Sequence, residues 1–285
     1  MQFIPELKEI MAKPSRLHNL AITAALVALT ACGSDRVEAP PPPPGPVLLK
    51  DVVASSVPSP YYHFEYDAEG RVSAASFASG SRSYDVAYDG GRIVEMRSNA
   101  PGNHDRLVFV YDDAGRVTSV RYTGENGIVF TVLFLTYTGQ QLTHLERDVR
   151  VTGGFVIDKT MSFSYYADGN LLALTEHRPA IDGLQPETNT VDRFEGYDRE
   201  TNVDSFDLIH DDFFDHLVLL PGVQLQKGNP ARQTRTGDGD NFTIDYTYAY
   251  DGKRRPTTKS GDLLLLSGPL VGRHYQLSTV FTYYD

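Results

Sequence analysis

The amino-acid sequence predicts an all-β fold, an antiparallel meander of β-hairpins that forms a curled or layered sheet. Two observations lead to this prediction: a Tyr-Asp turn motif recurs along the chain, and apolar residues alternate with polar or small ones between the turns. The alternation is clearest at residues 161–165 and 242–250. A period of two is typical of a strand with one buried face.

The turn motif is clearest where it begins at Tyr66 (YDAEGRV), Tyr88 (YDGGRIV) and Tyr111 (YDDAGRV). Asp can cap such a turn by accepting bonds from backbone amides, and Gly supplies the positive φ that closes it. Weaker copies begin at Tyr137, Tyr165, Tyr197 and Tyr250. We therefore predict hairpin turns at residues 67–70, 89–91, 112–115 and 167–169.

One strand departs from the alternating pattern. Residues 128–137 (IVFTVLFLTY) are apolar at both odd and even positions, so apolar side chains point to both faces of this strand. A strand of this kind is usually covered on both faces, so we expect the sheet to curl over it or another layer to cover it.

The sequence HDDFFDH, from His210 to His216, contains two imidazoles and three carboxylates, which are divalent-metal ligands. In a helix, however, positions six apart lie about 240° around the axis. The alternative is a short helix near residues 211–220, capped by Asp211 or Asp212 and ended by Pro221-Gly222. We favour the helix and predict that this segment binds no metal tightly.

Other candidate sites are weaker. Residues 237–241 (GDGDN) could bind calcium loosely, but they lack the further Gly and distal Glu of an EF-hand loop, so a hairpin tip is favoured. The 17 tyrosines could form a sugar or peptide platform, although cross-strand packing is their commoner role. The sequence contains no nucleophile elbow, zinc-protease helix or phosphate loop. We therefore assign no catalytic residue, no cofactor and no metal ligand.

The N-terminal region is typical of an exported precursor. Lys13 and Arg16 precede a short apolar run that ends in Leu29-Thr30-Ala31-Cys32, which resembles the lipobox of bacterial lipoproteins. The run is too short to span a bilayer, which needs roughly 20 apolar residues. Cys32 is the only cysteine in the chain. We predict cleavage before Cys32 and lipid attachment to its thiol.

The chain is predicted to have three regions: a signal peptide (1–31), a lipidated proline-rich tether (32–49) and one β domain (50–285). Pro40 to Pro44 favour an extended tether that could reach roughly 50 Å. Cleavage removes three of the 26 basic and two of the 37 acidic residues, leaving 23 and 35 and a formal charge of −12. This acidic balance opposes nucleic-acid binding.

The motif resembles the YD-repeat (RHS-type) family, whose consensus is a Tyr-Asp turn, two variable residues, Gly-Arg and an aliphatic residue. The match is close at residues 66–72 and 111–117, and one residue short at 88–93. The order of Leu217–Leu220, Lys227–Pro230 and Tyr250–Thr257 is similar to that of uncharacterised YD-repeat lipoproteins. The resemblance implies a meandering antiparallel sheet with a structural motif and no catalytic residues.

The favoured function is a non-enzymatic envelope lipoprotein, tethered to a membrane by its lipid, most simply the outer membrane, with a β-scaffold that binds a protein or glycan or has a structural role. The alternative is a secreted glycan-acting hydrolase with an acidic pair. A third interpretation is a small outer-membrane barrel. The polar strand faces argue against it, because such a barrel needs an apolar face all round. The oligomeric state stays open.

Overall fold

A computed structural model describes residues 47–55, 57–183, 185–211 and 216–285. The predicted signal peptide, Cys32 and the tether as far as residue 46 lie outside the described residues. The described part of the chain contains sixteen strands. They are β1 Leu49–Ala54, β2 Tyr62–Tyr66, β3 Val72–Phe77, β4 Arg82–Asp89, β5 Arg92–Ser98, β6 Arg106–Tyr111, β7 Val117–Thr123, β8 Val129–Thr138, β9 Gln141–Val151, β10 Gly154–Tyr165, β11 Leu171–Arg178, β12 Thr188–Glu195, β13 Arg232–Gly237, β14 Phe242–Tyr250, β15 Pro256–Leu265 and β16 His274–Tyr283.

The strands form a closed antiparallel barrel. Each strand pairs with its neighbours in sequence, and β1 pairs with both β2 and β16, with Val52 opposite Phe281. The prediction of a meander that forms a curled or layered sheet is wrong: the chain is all-β and antiparallel, but its sheet closes into a barrel. Closure satisfies the backbone groups that two free sheet edges would leave unpaired. It depends on β1, which precedes the first turn motif.

The apolar side chains of the strands point into the barrel. Phe77, Tyr84, Met96 and Leu107, on four successive strands, are at most 1% exposed. The residues between them on the same strands, such as Asp85 and Arg97, are exposed. On these strands, the alternation in the sequence therefore separates apolar residues that face the lumen from polar residues on the outer face.

Strand β8 contradicts the expectation of cover on both faces. Thr131, Leu133 and Leu135 are buried inside the barrel. Phe130 and Phe134 lie on the outer face, where they are 40% and 45% exposed. The described residues thus place no second layer over these two rings.

The predicted turns are confirmed. Gly70, Gly91, Gly115 and Gly169 all have positive φ, between 75° and 90°. In the turn that begins at Tyr111, the Gly115 amide donates to the Asp112 carbonyl at 3.0 Å. The Asp112 carboxylate accepts bonds from the Arg116 amide and guanidinium, which lower the pKa of Asp112. The Asp and Arg side chains of the motif therefore bond to each other, and these bonds stabilise the turn.

The motif tyrosines form a ladder around one end of the barrel. The Tyr88 hydroxyl donates to the Val72 carbonyl at 2.9 Å, so it bonds the aliphatic residue that ends the preceding motif. The Arg71 guanidinium lies 4.6 Å from the Tyr88 ring centre, a cation–π distance. The same hydroxyl-to-carbonyl bond joins Tyr66 to Leu49, Tyr111 to Ile93, Tyr137 to Val117, Tyr165 to Leu142, Tyr197 to Leu171 and Tyr283 to Pro256. We call this end, where the Tyr-Asp turns lie, the YD end.

The prediction of a short helix near residues 211–220 is wrong. Residues 216–220 are not helical, and residues 212–215 lie outside the described residues. His216 has a φ of 51°, which a right-handed helix does not allow, and the Asp211 carboxylate bonds Arg147 at 2.5 Å. A single 3₁₀ turn in the described chain lies earlier, at Ser205–Leu208. No helix of the described residues has the length and apolar character needed to cross a membrane.

Candidate functional site

The described parts of the connection between β12 and β13 lie in the lumen. We call residues 196–211 and 216–231 the inner segment. Its Phe206 ring packs against Tyr62 of β2 at 4.9 Å, its Asp211 bonds Arg147 of β9, and its Asp204 bonds Lys259 of β15. These strands lie far apart around the barrel, so only a path through the interior reaches all of them. Ile209, Leu217 and Leu225 of the segment are buried.

A buried ion-pair cluster fixes the inner segment to β9 and β10. The Arg147 side chain is fully buried. Its Nε and Nη2 donate to the two carboxylate oxygens of Asp158 at 2.9 and 2.6 Å, and its Nη1 donates to Asp211 at 2.5 Å. The Lys159 ammonium lies 3.5 Å from the same Asp211 oxygen. The Arg178 guanidinium lies 4.0 Å from the same oxygen, so several cations surround these two carboxylates inside the barrel.

The two histidines of the HDDFFDH segment lie against one aromatic ring. The centres of the His210 and His216 rings are 4.5 and 5.3 Å from that of Phe77. His210 hydrogen-bonds with the Tyr62 hydroxyl at 2.7 Å, and His216 with the hydroxyls of Tyr84 and Tyr122. The expectation that they lie on different sides assumed a helix and is wrong. The described residues contain no group of three or more acidic, His or Cys side chains arranged to hold a metal. That this segment binds no metal tightly stays a prediction.

The other two candidate sites from the sequence, residues 237–241 and the tyrosines, have contacts that are typical of structural residues. Residues 237–241 form the tip of the β13–β14 hairpin, as predicted, and the Asp238 carboxylate accepts a bond from the Asn189 amide at 2.7 Å. Six of the seven motif tyrosines bond backbone carbonyls, which agrees with a cross-strand role, whereas the Tyr250 hydroxyl donates to the Asp198 carboxylate.

A polar cavity of about 220 Å³ lies between the inner segment and strands β11–β15. Its polar lining includes Asp192, Asp204, Asp207, Arg235 and Lys259, and its apolar wall includes Leu174, Phe194 and Leu208. A single water needs roughly 10–15 Å³ of such space. The cavity is therefore large enough for a small ligand, and we take it as the candidate functional site.

Two ion pairs organise the cavity. The Arg235 Nη2 donates to Asp192 at 2.7 Å, and the Gln233 amide donates to the same carboxylate at 2.8 Å. The Lys259 ammonium donates to Asp204 at 2.9 Å. Burial opposes the Lys259 charge, but Asp204, with Tyr246 and Tyr248, raises the pKa of this lysine overall. The charged form of Lys259 is therefore favoured despite its burial.

Asp207 is the third carboxyl group of the cavity. Many protein atoms surround Asp207. Its side chain lines the cavity, where it has solvent-accessible surface. The Tyr62 hydroxyl donates to it at 2.5 Å. Burial raises the pKa of Asp207, and the Tyr62 bond only partly opposes this. The neutral form of Asp207 is thus favoured relative to an ordinary aspartate.

A larger recess of about 390 Å³ opens at the YD end, between the Tyr-Asp turns and residues 219–222. Its lining includes Arg71, Arg92, Tyr88 and Tyr111 but no carboxylate. These arginines already stack on the motif tyrosines at 4.6 and 5.4 Å. The recess therefore follows from the repeat architecture, and the smaller cavity has the more varied chemistry.

Sequence reasoning missed the cavity residues. Asp192, Arg235 and Lys259 lie on separate strands, and Asp204 and Asp207 lie in a connection with no recognisable motif. A charged residue at an inward position of an alternating strand, such as Lys259, was the one available signal.

Two solved structures share the barrel fold. One is a porin-like protein from Bacteroides uniformis ATCC 8492, with a TM-score of 0.54 and 13% identity, covering 84% of this chain and 95% of that one. The other is a porin-like protein from Bacteroides vulgatus ATCC 8482, with a TM-score of 0.56 and 12% identity, covering 84% and 99%. No protein-family model and no curated protein matches this chain. At these identities the likeness shows the fold alone.

Proposed function

We propose that this protein is a lipid-tethered lipoprotein of the bacterial envelope, whose closed barrel lies in water and acts as a non-enzymatic binding scaffold. The lipobox before Cys32 supports the tether. Gly33 follows the cysteine in place of the Asp that retains many lipoproteins in the inner membrane, which favours the outer membrane. The repeat of Tyr-Asp turns supports membership of the YD-repeat lipoproteins.

The observation that carries the proposal is the orientation of the barrel faces. Charged side chains lie on the outer face of strands spread around the barrel, among them Asp85, Arg121, Arg193 and Asp245. A membrane barrel presents an outward apolar band about 25 Å tall, and one Arg or Lys at its midplane costs about 2–4 kcal/mol. These outward charges favour water over lipid around the barrel.

The lumen argues against a pore. The two solved structures are described as porin-like, and a porin interior is a polar, water-filled channel. Here buried residues of the inner segment, such as Leu217 and Leu225, pack against apolar strand residues. We infer that the barrel serves as a scaffold around a packed interior and does not conduct solutes.

The hydrolase alternative depends on the same cavity. A glycosidase of this kind uses one carboxyl group with a raised pKa as the acid and a second, ionised carboxylate. Burial raises the pKa of Asp207, and the carboxylates of Asp192 and Asp204 line the same cavity. Asp192 is paired with Arg235 and Asp204 with Lys259, which favours a binding role over nucleophilic attack.

We predict that the mature chain begins at Cys32 with a lipid on its thiol. The test is mass spectrometry of the N-terminal peptide from membranes of cells expressing the full precursor. The expected peptide carries a diacylglyceryl group, and Cys32→Ala should abolish both the modification and the cleavage. An unmodified Cys32, or a mature N-terminus elsewhere, would contradict the proposal.

A further inference from the structure

We propose that the polar cavity between the inner segment and strands β11–β15 is a binding site for a neutral polyhydroxylated molecule the size of one sugar ring. This inference deepens the proposed binding role and depends on it. Three properties of the cavity lead to it: its volume, its charge balance and the mixture of groups in its wall.

The volume limits the ligand to a small molecule. At about 220 Å³, the cavity falls below the ~300–1,000 Å³ of pockets that hold drug-sized ligands. It is nevertheless many times larger than a single-water site, for which roughly 10–15 Å³ suffices. A single ring with its substituents is the appropriate class, and a chain of sugars or a peptide is too large.

The charge balance favours a neutral ligand. Asp192 with Arg235, and Asp204 with Lys259, are two internally compensated pairs. The remaining carboxyl group, Asp207, has its charged form disfavoured by burial. A charged ligand would enter a largely neutral, partly desolvated site without an unpaired partner of opposite sign, which is costly.

The remaining hydrogen-bonding capacity suits hydroxyl groups. An ammonium has three N–H donors, and the bond to Asp204 uses one of the three on Lys259. Arg235 uses Nε and Nη2 on Asp192, which leaves Nη1 without an acceptor among the described residues. Carboxylate oxygens lie beside these donors. A hydroxyl both donates and accepts, so it can bond a cation and a carboxylate at the same time.

The apolar part of the wall provides the surface for a ring. Phe194, Leu174 and Leu208 line the cavity together with Tyr246. The Tyr246 hydroxyl donates to Gln233 at 2.7 Å, and its ring lies 4.8 Å from the Lys259 ammonium. Ligand sites typically combine apolar contact with a few fixed polar groups, and this wall has both.

The test uses three probes that share one ring: glucose, glucosamine and glucuronate. They differ by one neutral, cationic or anionic substituent, and each is titrated calorimetrically into the mature chain purified in detergent. We expect saturable binding of glucose and at least tenfold weaker binding of the two charged rings. A preference for either charged ring, or no saturable binding of glucose up to on the order of 10 mM, would overturn the inference.

Two double variants locate the site. Asp204→Asn/Lys259→Met replaces the cavity ion pair with neutral groups of similar size and should weaken glucose binding at least tenfold. The matched control, Asp245→Asn/Arg232→Met, makes the same change to an outward pair joined at 2.6 Å and should leave binding unchanged. Equal effects of both variants would place the binding elsewhere and overturn the inference. Lipidation of Cys32 is measured separately, so failure of ligand binding is distinguishable from failure of the tether.

Discussion

Arg147→Ala is expected to destabilise the barrel by several kcal/mol. The substitution leaves Asp158 and Asp211 without the guanidinium that holds both. Breaking a buried ion pair by removing one partner typically costs about 3–5 kcal/mol. This is a large fraction of the ~5–15 kcal/mol that separates most folded domains from the unfolded state. The free energy of unfolding, measured by urea denaturation with circular dichroism, should fall by this amount.

The control for this prediction is Arg121→Ala. Arg121 is exposed on the outer face of β7, where a substitution usually changes stability by no more than about 0.5 kcal/mol. Equal losses in the two variants would mean that Arg147 does not pair with buried carboxylates inside the barrel. The contrast therefore tests whether the inner segment is fixed to β9 and β10 in the lumen.

Phe77→Ala is expected to have an effect of similar size. Phe77 is 1% exposed and packs against both His210 and His216 of the inner segment. Truncating a buried Phe to Ala typically costs about 3–5 kcal/mol, because the surrounding structure only partly fills the cavity. The same urea experiment measures the loss.

Phe134→Ala provides the matched control for Phe77→Ala. Phe134 lies on the outer face of β8 and is 45% exposed, so its truncation in water should cost well under about 1 kcal/mol. A barrel whose apolar face pointed outward would show the opposite order. If Phe134→Ala were the more damaging variant, the assignment of the inner and outer faces would be wrong.

The strands and turns were predictable from the sequence because their signals are local. Apolar residues that recur with a period of two indicate which side chains of a strand face the core. The Asp and Gly of the motif act within a few residues, as the Asp112–Gly115 turn shows. The tyrosine ladder was only partly predictable. Each hydroxyl bonds a carbonyl 16–27 residues earlier, for example Tyr88 to Val72, and that partner depends on the strand register.

Closure and the inner segment were not predictable, because both depend on distant contacts. The pairing of Val52 with Phe281 joins the two ends of the described chain, and β1 has no turn motif to reveal it. The apolar residues and capping acids of residues 210–220 suggested a helix packed on a sheet. Inside a closed barrel, the same apolar residues fill the lumen, and Asp211 forms an ion pair with Arg147.

The candidate site could not be predicted from the sequence for the same reason. Its two ion pairs join residues that are 43 and 55 positions apart in the sequence, and no spacing rule relates them. The polar strand faces counted against a barrel only on the assumption that a barrel must present its apolar face to lipid. The structure places that face in the lumen, which removes the conflict between polar strand faces and a closed sheet.

The most direct test of the proposed water-facing barrel is to export residues 47–285 behind a cleavable signal peptide that has no lipobox. The barrel closes within these residues, since β1 pairs with β16. Cells are fractionated without detergent, and the membranes are washed at alkaline pH. We expect the chain in the soluble periplasmic extract, folded, with a β-rich circular dichroism spectrum. A folded chain that stays in the washed membranes and needs detergent for release would contradict the account.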